Sequence, residues 1–284
     1  FNIPFPYIVF TAAVIGLIGG YAFPDLLSTW QNYSASVADA HDGYVIDDDT
    51  APPDHARFKW SRLLVFLLVG VGMWLGGMVV LIQLYGWDAT LTQMGWFFTK
   101  AALVTFGGAY AVLPYVYQGA VESYSWATAS QMIDGLALGE TTPGPLIMVV
   151  TFVGFVGGWT KAIFGSESVL LAGVVAASVV TFFTFLPSFL FILIGAPAVE
   201  ATRDDLKFTA PLAAITAAVV GVILNLAVFF GYHVLWPKGF DGNFEWAAAI
   251  LGVLAFIGLF RFRIGVIPMI GLAALAGLIY QLLI

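Results

Sequence analysis

The sequence predicts an all-α fold, a polytopic transmembrane helical bundle with a discontinuous helix at Thr141–Pro145. Composition is the first reason. Hydrophobic residues make up 61% of the 284 and charged residues 10%, against roughly 25% charged in an ordinary soluble domain. The mean hydropathy is +0.95. The second reason is run length, since several apolar stretches reach about 20 residues, enough to cross a bilayer. The third is Leu138-Gly139-Glu140-Thr141-Thr142-Pro143-Gly144-Pro145-Leu146, which interrupts apolar sequence on both sides. Inside lipid every freed backbone N–H and C=O needs a partner, so a break survives only within protein or beside a polar cavity.

Eight apolar segments occur in order, at 3–24, 63–86, 97–118, 131–158 (broken), 168–196, 208–233, 246–260 and 264–284. The sequence opens at Phe1 with no basic stretch before its first apolar run, so 1–30 reads as a transmembrane helix entered partway rather than a signal peptide. Residues 31–60 form an acidic soluble linker that includes Asp39, His41, Asp42, Asp47, Asp48, Asp49, Asp54 and His55. Their spacing fits no ordered metal-binding loop, and a solvated linker is the expected state. Residues 61–90 read as another transmembrane helix. The fifth segment is long and holds Pro187, so a kink or break is expected there.

Positive charge orients the bundle. Arg57, Lys59, Arg62, Arg203, Lys207, Arg261 and Arg263 fall on one face if each segment crosses once, and only Lys161 and Lys238 fall on the other. This places 31–60, 119–130, 197–207 and 261–263 in the cytoplasm. If 131–158 is instead a re-entrant hairpin, the later loops invert.

Several chemistries are excluded or disfavoured. Without cysteine there is no disulfide, thiolate metal site or cysteine nucleophile. No zinc-protease, phosphate-loop or nucleophile-elbow motif occurs, so an enzyme is not expected. No cofactor, metal or nucleic-acid partner is expected either.

The polar break carries the functional reading. Thr142 before Pro143 suits an N-cap and first helical residue. The next half-helix would then aim free donors at Gly144 and Leu146 toward mid-membrane, an arrangement that discontinuous transporter helices use to hold anions. Glu140 beside an anion must be neutral to be tolerated. Burial disfavours a charged carboxylate, which makes Glu140 the expected proton carrier. Asp134, six residues earlier, lies about 120° round the helix and is either a second proton site or an interfacial charge.

In the third segment Lys100, Gly107 and Pro114 are spaced by seven and so share one face. Lys100 would offset a bound anion, pair with Glu140, or snorkel to the interface. Gly107 and Gly108 permit close approach or local unwinding. Gly154 and Gly158 suit helix packing. Thr184, Ser188 and Asn225 would line a cavity or bond between helices, and His233 with Tyr232 and Trp236 reads as an interfacial belt.

At these residues a family match emerges. Phe106-Gly107-Gly108-Ala109-Tyr110-Ala111-Val112-Leu113-Pro114, Gln131-Met132-Ile133-Asp134-Gly135-Leu136, Gly139-Glu140-Thr141-Thr142-Pro143-Gly144-Pro145-Leu146-Ile147 and Phe152-Val153-Gly154-Phe155 resemble the chromate ion transporter family. Ala109 replaces a glycine often found there. The resemblance implies an inner-membrane carrier that exports chromate, a tetrahedral dianion isosteric with sulfate. A sulfate carrier or a passive anion channel is the alternative. It also implies that 91–284 is one chromate transporter half-repeat, completed by a second homologous half or by another copy of the chain. The substrate site is expected at Thr141, Thr142, Pro143, Gly144, Pro145 and Leu146 with Lys100, Gly107 and Gly108, and proton coupling at Glu140 and Asp134.

Overall fold

The computed structural model describes residues 5–22, 60–105, 109–142, 144–201, 206–237 and 239–283. The expected linker at 31–60, apart from Trp60, lies outside them, as do Gly107, Gly108 and Pro143. The described elements are helical: α1 Phe5–Ala22, α2 Trp60–Tyr85, α3 Thr90–Leu103, α4 Ala109–Tyr117, α5 Ala129–Thr141, α6 Val149–Thr160, α7 Val169–Ala201, α8 Leu206–Leu235, α9 Trp246–Phe260 and α10 Val266–Leu283. A π-helical turn at Gln118–Ser123 prolongs α4, and 3-10 turns at Leu146–Met148 and Ser166–Ser168 lead into α6 and α7. Trp60–Tyr85, Ser166–Gly195 and Ala210–Leu235 are long and apolar enough to cross a membrane. The protein is a multi-pass membrane protein with an all-α bundle.

The two segments with internal breaks do not cross singly. Beyond the break at 142–148, α6 runs back along α5. A Cβ on Gly139 would touch Val149, and one on Gly135 would lie 2.5 Å from the Phe152 ring. Residues ever farther from the break on both sides therefore meet, which is a hairpin. Each arm is about 20 Å long, too short for a hydrocarbon core of about 30 Å. The segment 131–158 is re-entrant, so the expectation of one broken crossing is corrected.

The segment 97–118 folds the same way. Phe97 of α3 stacks on Tyr115 of α4 at 4.9 Å, and a Cβ on Gly119 would lie 2.1 Å from the Phe97 ring. Between the arms the helix stops at Leu103, and Val104 and Thr105 bond back to the carbonyls of Lys100 and Ala102. Lys100 and Pro114 therefore stand on separate antiparallel arms, and their separation of fourteen residues, two spacings of seven, gives no shared helical face.

Both hairpins have their bases at the same end of the bundle. Gly157 near the base of α6 meets Met94 of α3 and Trp126 of the loop between the hairpins. Trp126 is 2% exposed and stacks on Tyr124 at 4.4 Å, with Phe97 and Phe98 beside it. Thr128 starts α5 here with a capping box. Its hydroxyl accepts from the Gln131 N–H, while the Gln131 side chain accepts from the Thr128 N–H.

Longer helices frame the hairpins. α7 runs antiparallel to α6, joined by Thr151 and Thr181 hydroxyls 2.7 Å apart, and antiparallel to α2, where Gly70 meets Leu190 and Gly77 meets Phe183. α1 pairs antiparallel with α8 through Gly16 against Ala210 and Ala214, burying Val9, Ala12, Ile215, Val219 and Val222. The expected break at Pro187 does not occur, because α7 is continuous from Val169 to Ala201. Among the described residues Thr184 and Ser188 make no side-chain hydrogen bond to another helix. They donate to the Val180 and Thr184 carbonyls of their own helix, and Asn225 is exposed.

Two hairpins change the topology without inverting the later segments. Each returns the chain to its starting side, so α2 and α7 still lead from and to the same end of the bundle. The start of α2 at Trp60 and the end of α7 at Ala201 share one side, and only 119–130, which has no Lys or Arg, moves to the other. The bias of positive charge survives because the two reversals cancel.

Gly154 and Gly158 serve packing. A Cβ on Gly158 would lie 2.4 Å from the Ala172 carbonyl oxygen of α7, and backbone cannot move aside as a side chain can. Gly158→Val should cost about 1–3 kcal/mol, read as a lower unfolding midpoint in detergent. Gly76, with nothing within 4 Å of an added Cβ, provides the control, and Gly76→Ala should not lower that midpoint.

Candidate functional site

The hairpin tips meet. Tyr110, in the first turn of α4, donates its hydroxyl to the Glu140 carboxylate in the last turn of α5. The 3-10 turn at Leu146–Met148 also packs against α4. Both helix breaks, separated by more than thirty residues of sequence, are thus brought to one place. α5 and α6 arms of about 20 Å put that place well inside the bilayer, measured from the hairpin bases.

Local chemistry explains the shape of the second tip. A residue before proline is pushed out of the helical region, and two prolines alternate here. Thr142 before Pro143 is extended, with φ −79° and ψ 127°. Pro145 is extended too, with φ −69° and ψ 133°. Helix cannot resume until Leu146.

Thr142 therefore caps the end of α5 rather than the start of the half-helix, which corrects the sequence expectation. Its N–H and its hydroxyl both go to the Leu138 carbonyl, the hydroxyl at 2.7 Å. The Thr141 hydroxyl donates to Leu138 and Ala137 at 3.0 and 3.2 Å. Both hydroxyl protons are engaged within α5, and the oxygens stay exposed with Gly144 and Pro145. Past the turn, the N–H groups of Gly144, Leu146 and Ile147 have no acceptor among the described residues. In the first hairpin, Pro114 has no N–H to give the carbonyl of Tyr110, one helical turn earlier.

The remaining candidates divide. Lys100 occupies the last turn of α3, about 15 Å along the helix from its base end. It is half-buried, with Nζ 5.7 Å from the Trp96 ring centroid. A cation over an indole face at a helix C-terminus is favourably placed without a carboxylate, and Lys100 does not pair with Glu140. Trp74 braces the same helix by donating to the Thr99 hydroxyl at 2.9 Å. Asp134 is exposed and lies about 9 Å nearer the base than Glu140. His233 stands at the far end of α8 with Tyr117, Phe229 and Tyr232 around it, away from the tips. No cluster of three or more metal-ligating side chains occurs among the described residues.

Sequence reasoning gave Tyr110 no role of its own. Its signal was its place directly after the small residues of the first break, four residues before a proline.

A family model described as "Chromate transporter" matches residues 92–278, a range that holds the second hairpin and all but the first two residues of the first. The chain belongs to the chromate transporter family. It is 36% identical over 182 residues to a chromate transport protein of Pseudomonas aeruginosa, covering 63% of this chain and 39% of that one. It is 33% identical over 138 residues to a chromate transport protein of Cupriavidus metallidurans, covering 49% and 31%. An uncharacterized transporter of Methanocaldococcus jannaschii is 28% identical over 181 residues, covering 63% and 40%. The matches span between about a third and two fifths of these relatives' lengths. No solved structure matches. The described residues of the stretches that resemble the family, from Ala109 to Phe155, lie on the arms and tips of the two hairpins.

Proposed function

We propose that the protein is a secondary active carrier of a tetrahedral oxyanion, chromate foremost, exporting it across the cytoplasmic (inner) membrane, and that it is not an enzyme. The observation that carries this reading is the meeting of two helix breaks at the Tyr110–Glu140 contact. Exposed polar backbone at membrane depth calls for a polar ligand or a protein neighbour.

In this reading the free N–H groups of Gly144 and Leu146 hold the anion. Thr141 and Thr142 swing their hydroxyl protons from the Leu138 carbonyl to the anion, Pro143 and Pro145 keep the turn open, and Gly107 and Gly108 let the facing tip approach. Lys100 offsets the negative charge. Glu140 takes up the coupled proton, with Asp134 nearer the base as its relay. The end of the bundle carrying Arg62 and Lys207 faces the cytoplasm, so both hairpins enter from the opposite face. The outer sides of Thr141, Thr142, Gly144 and Pro145 are exposed. A second homologous half, or another copy of the chain, covers them.

Lys100 provides a direct test. Lys100→Ala should weaken apparent chromate affinity about tenfold, or about 1.4 kcal/mol, in vesicles containing the intact protein. Lys100→Arg keeps the charge and disturbs the fit on Trp96, so it should fall between. Unchanged affinity in Lys100→Ala would remove the residue from the site.

A further inference from the structure

We infer that Tyr110 is a latch between the hairpin tips, and that its hydroxyl passes from Glu140 to the bound oxyanion during the cycle; this rests on the proposed carrier function. The Tyr110–Glu140 bond is the hydrogen bond between side chains that joins the two hairpin tips among the described residues. It links the first turn of α4 to the last turn of α5, so whatever weakens it frees the tips to part. At 37% exposure the tyrosine is reachable from the tip surface.

The chemistry gives the exchange an order. A phenol donating to an ionised carboxylate makes a charge-assisted bond, roughly twice as strong as its neutral counterpart. When Glu140 takes up a proton the latch drops to the weaker form. An oxyanion arriving at the Gly144 and Leu146 amides is then the better acceptor, and the hydroxyl moves to it. While Glu140 is ionised, the hydroxyl stays with the carboxylate and two negative charges are not brought together. Proton and anion therefore load together, and because a dianion with one proton still carries a negative charge, an inside-negative membrane potential drives the loaded pair outward.

Among the elements packed against α4, α3 presents Lys100 in its last turn, and α1 presents Tyr7 and Tyr21 near its two ends. The 3-10 turn at Leu146–Met148 and the α6 helix present none. α4 presents Tyr115 and Tyr117, both nearer the base of their arm. α8 presents Tyr232 and His233 at its far end, and Lys207 at its start. Asp134 is the other carboxylate of α5.

The test compares Tyr110→Phe, Glu140→Gln and the double variant in vesicles containing the intact protein, with chromate as the probe. Glutamine imitates the neutral acid, so Glu140→Gln isolates the anion's contact with Tyr110. Adding Tyr110→Phe to Glu140→Gln should raise the apparent KM for chromate about tenfold, matching a lost hydrogen bond to a charged group. If the added change leaves KM alone, the hydroxyl never touches the anion and the proposal fails. Glu140→Gln should also remove the protein's share of the pH dependence of KM. The titration of chromate itself then accounts for the remainder.

Because the chain has no native cysteine, a Tyr110→Cys, Glu140→Cys pair can be challenged with a short thiol cross-linker without background. Cross-linking that chromate suppresses supports the latch, and a pair that does not cross-link overturns it. If the parent protein moves no oxyanion, the proposed function fails separately, whatever the cross-link shows.

Discussion

Glu140→Gln should abolish uphill chromate transport driven by a proton gradient while leaving downhill exchange of chromate largely intact. The substitution keeps the shape and a neutral acceptor for the Tyr110 hydroxyl but cannot exchange a proton. A carrier that needs proton and anion together then loses its coupling and keeps its site. Accumulation in vesicles under an imposed proton gradient, against counterflow with no gradient, separates the two. Counterflow should stay within about tenfold of the parent, the scale of one altered hydrogen bond. Loss of both activities alike would assign Glu140 to substrate contact rather than coupling.

Trp126→Ala should be the most destabilising single change in the hairpins. The indole is 2% exposed and wedged between Tyr124, Phe97 and Phe98, with Gly157 of the second hairpin against it. Truncating a buried tryptophan costs about 3–5 kcal/mol. Here it also unlocks the two bases from each other. The expected readout is a large drop in the detergent unfolding midpoint, with Trp126→Phe intermediate. A midpoint unchanged in Trp126→Ala would show that the hairpins do not depend on this plug.

The position of the helix break was legible in the sequence, and its geometry only in part. Composition and run length gave the all-α membrane bundle, and the Glu-Thr-Thr-Pro-Gly-Pro stretch marked where helix must stop. Hydropathy reports how long an apolar run is, not whether the chain reverses within it, so 97–118 and 131–158 both read as crossings. The reversal is written more subtly, in glycines set opposite aromatics: Gly135 faces Phe152, and Gly119 faces Phe97. That complement becomes visible only once the arms are laid side by side.

Thr142 misled for a related reason. Thr-Pro is a good local start for a helix, but Pro145 shortly after it holds the chain extended and hands the threonine back to α5. Tyr110 carried no charge and lay in a motif dominated by glycine. Only the fold places it against Glu140.

Flux in reconstituted vesicles tests most directly whether the juxtaposed tips form a coupled oxyanion site. Chromate uptake by the intact protein should saturate, compete with sulfate as its isostere, and run uphill when only a proton gradient is imposed. Chromate current that neither saturates nor responds to that gradient would contradict the account and make the protein a passive channel.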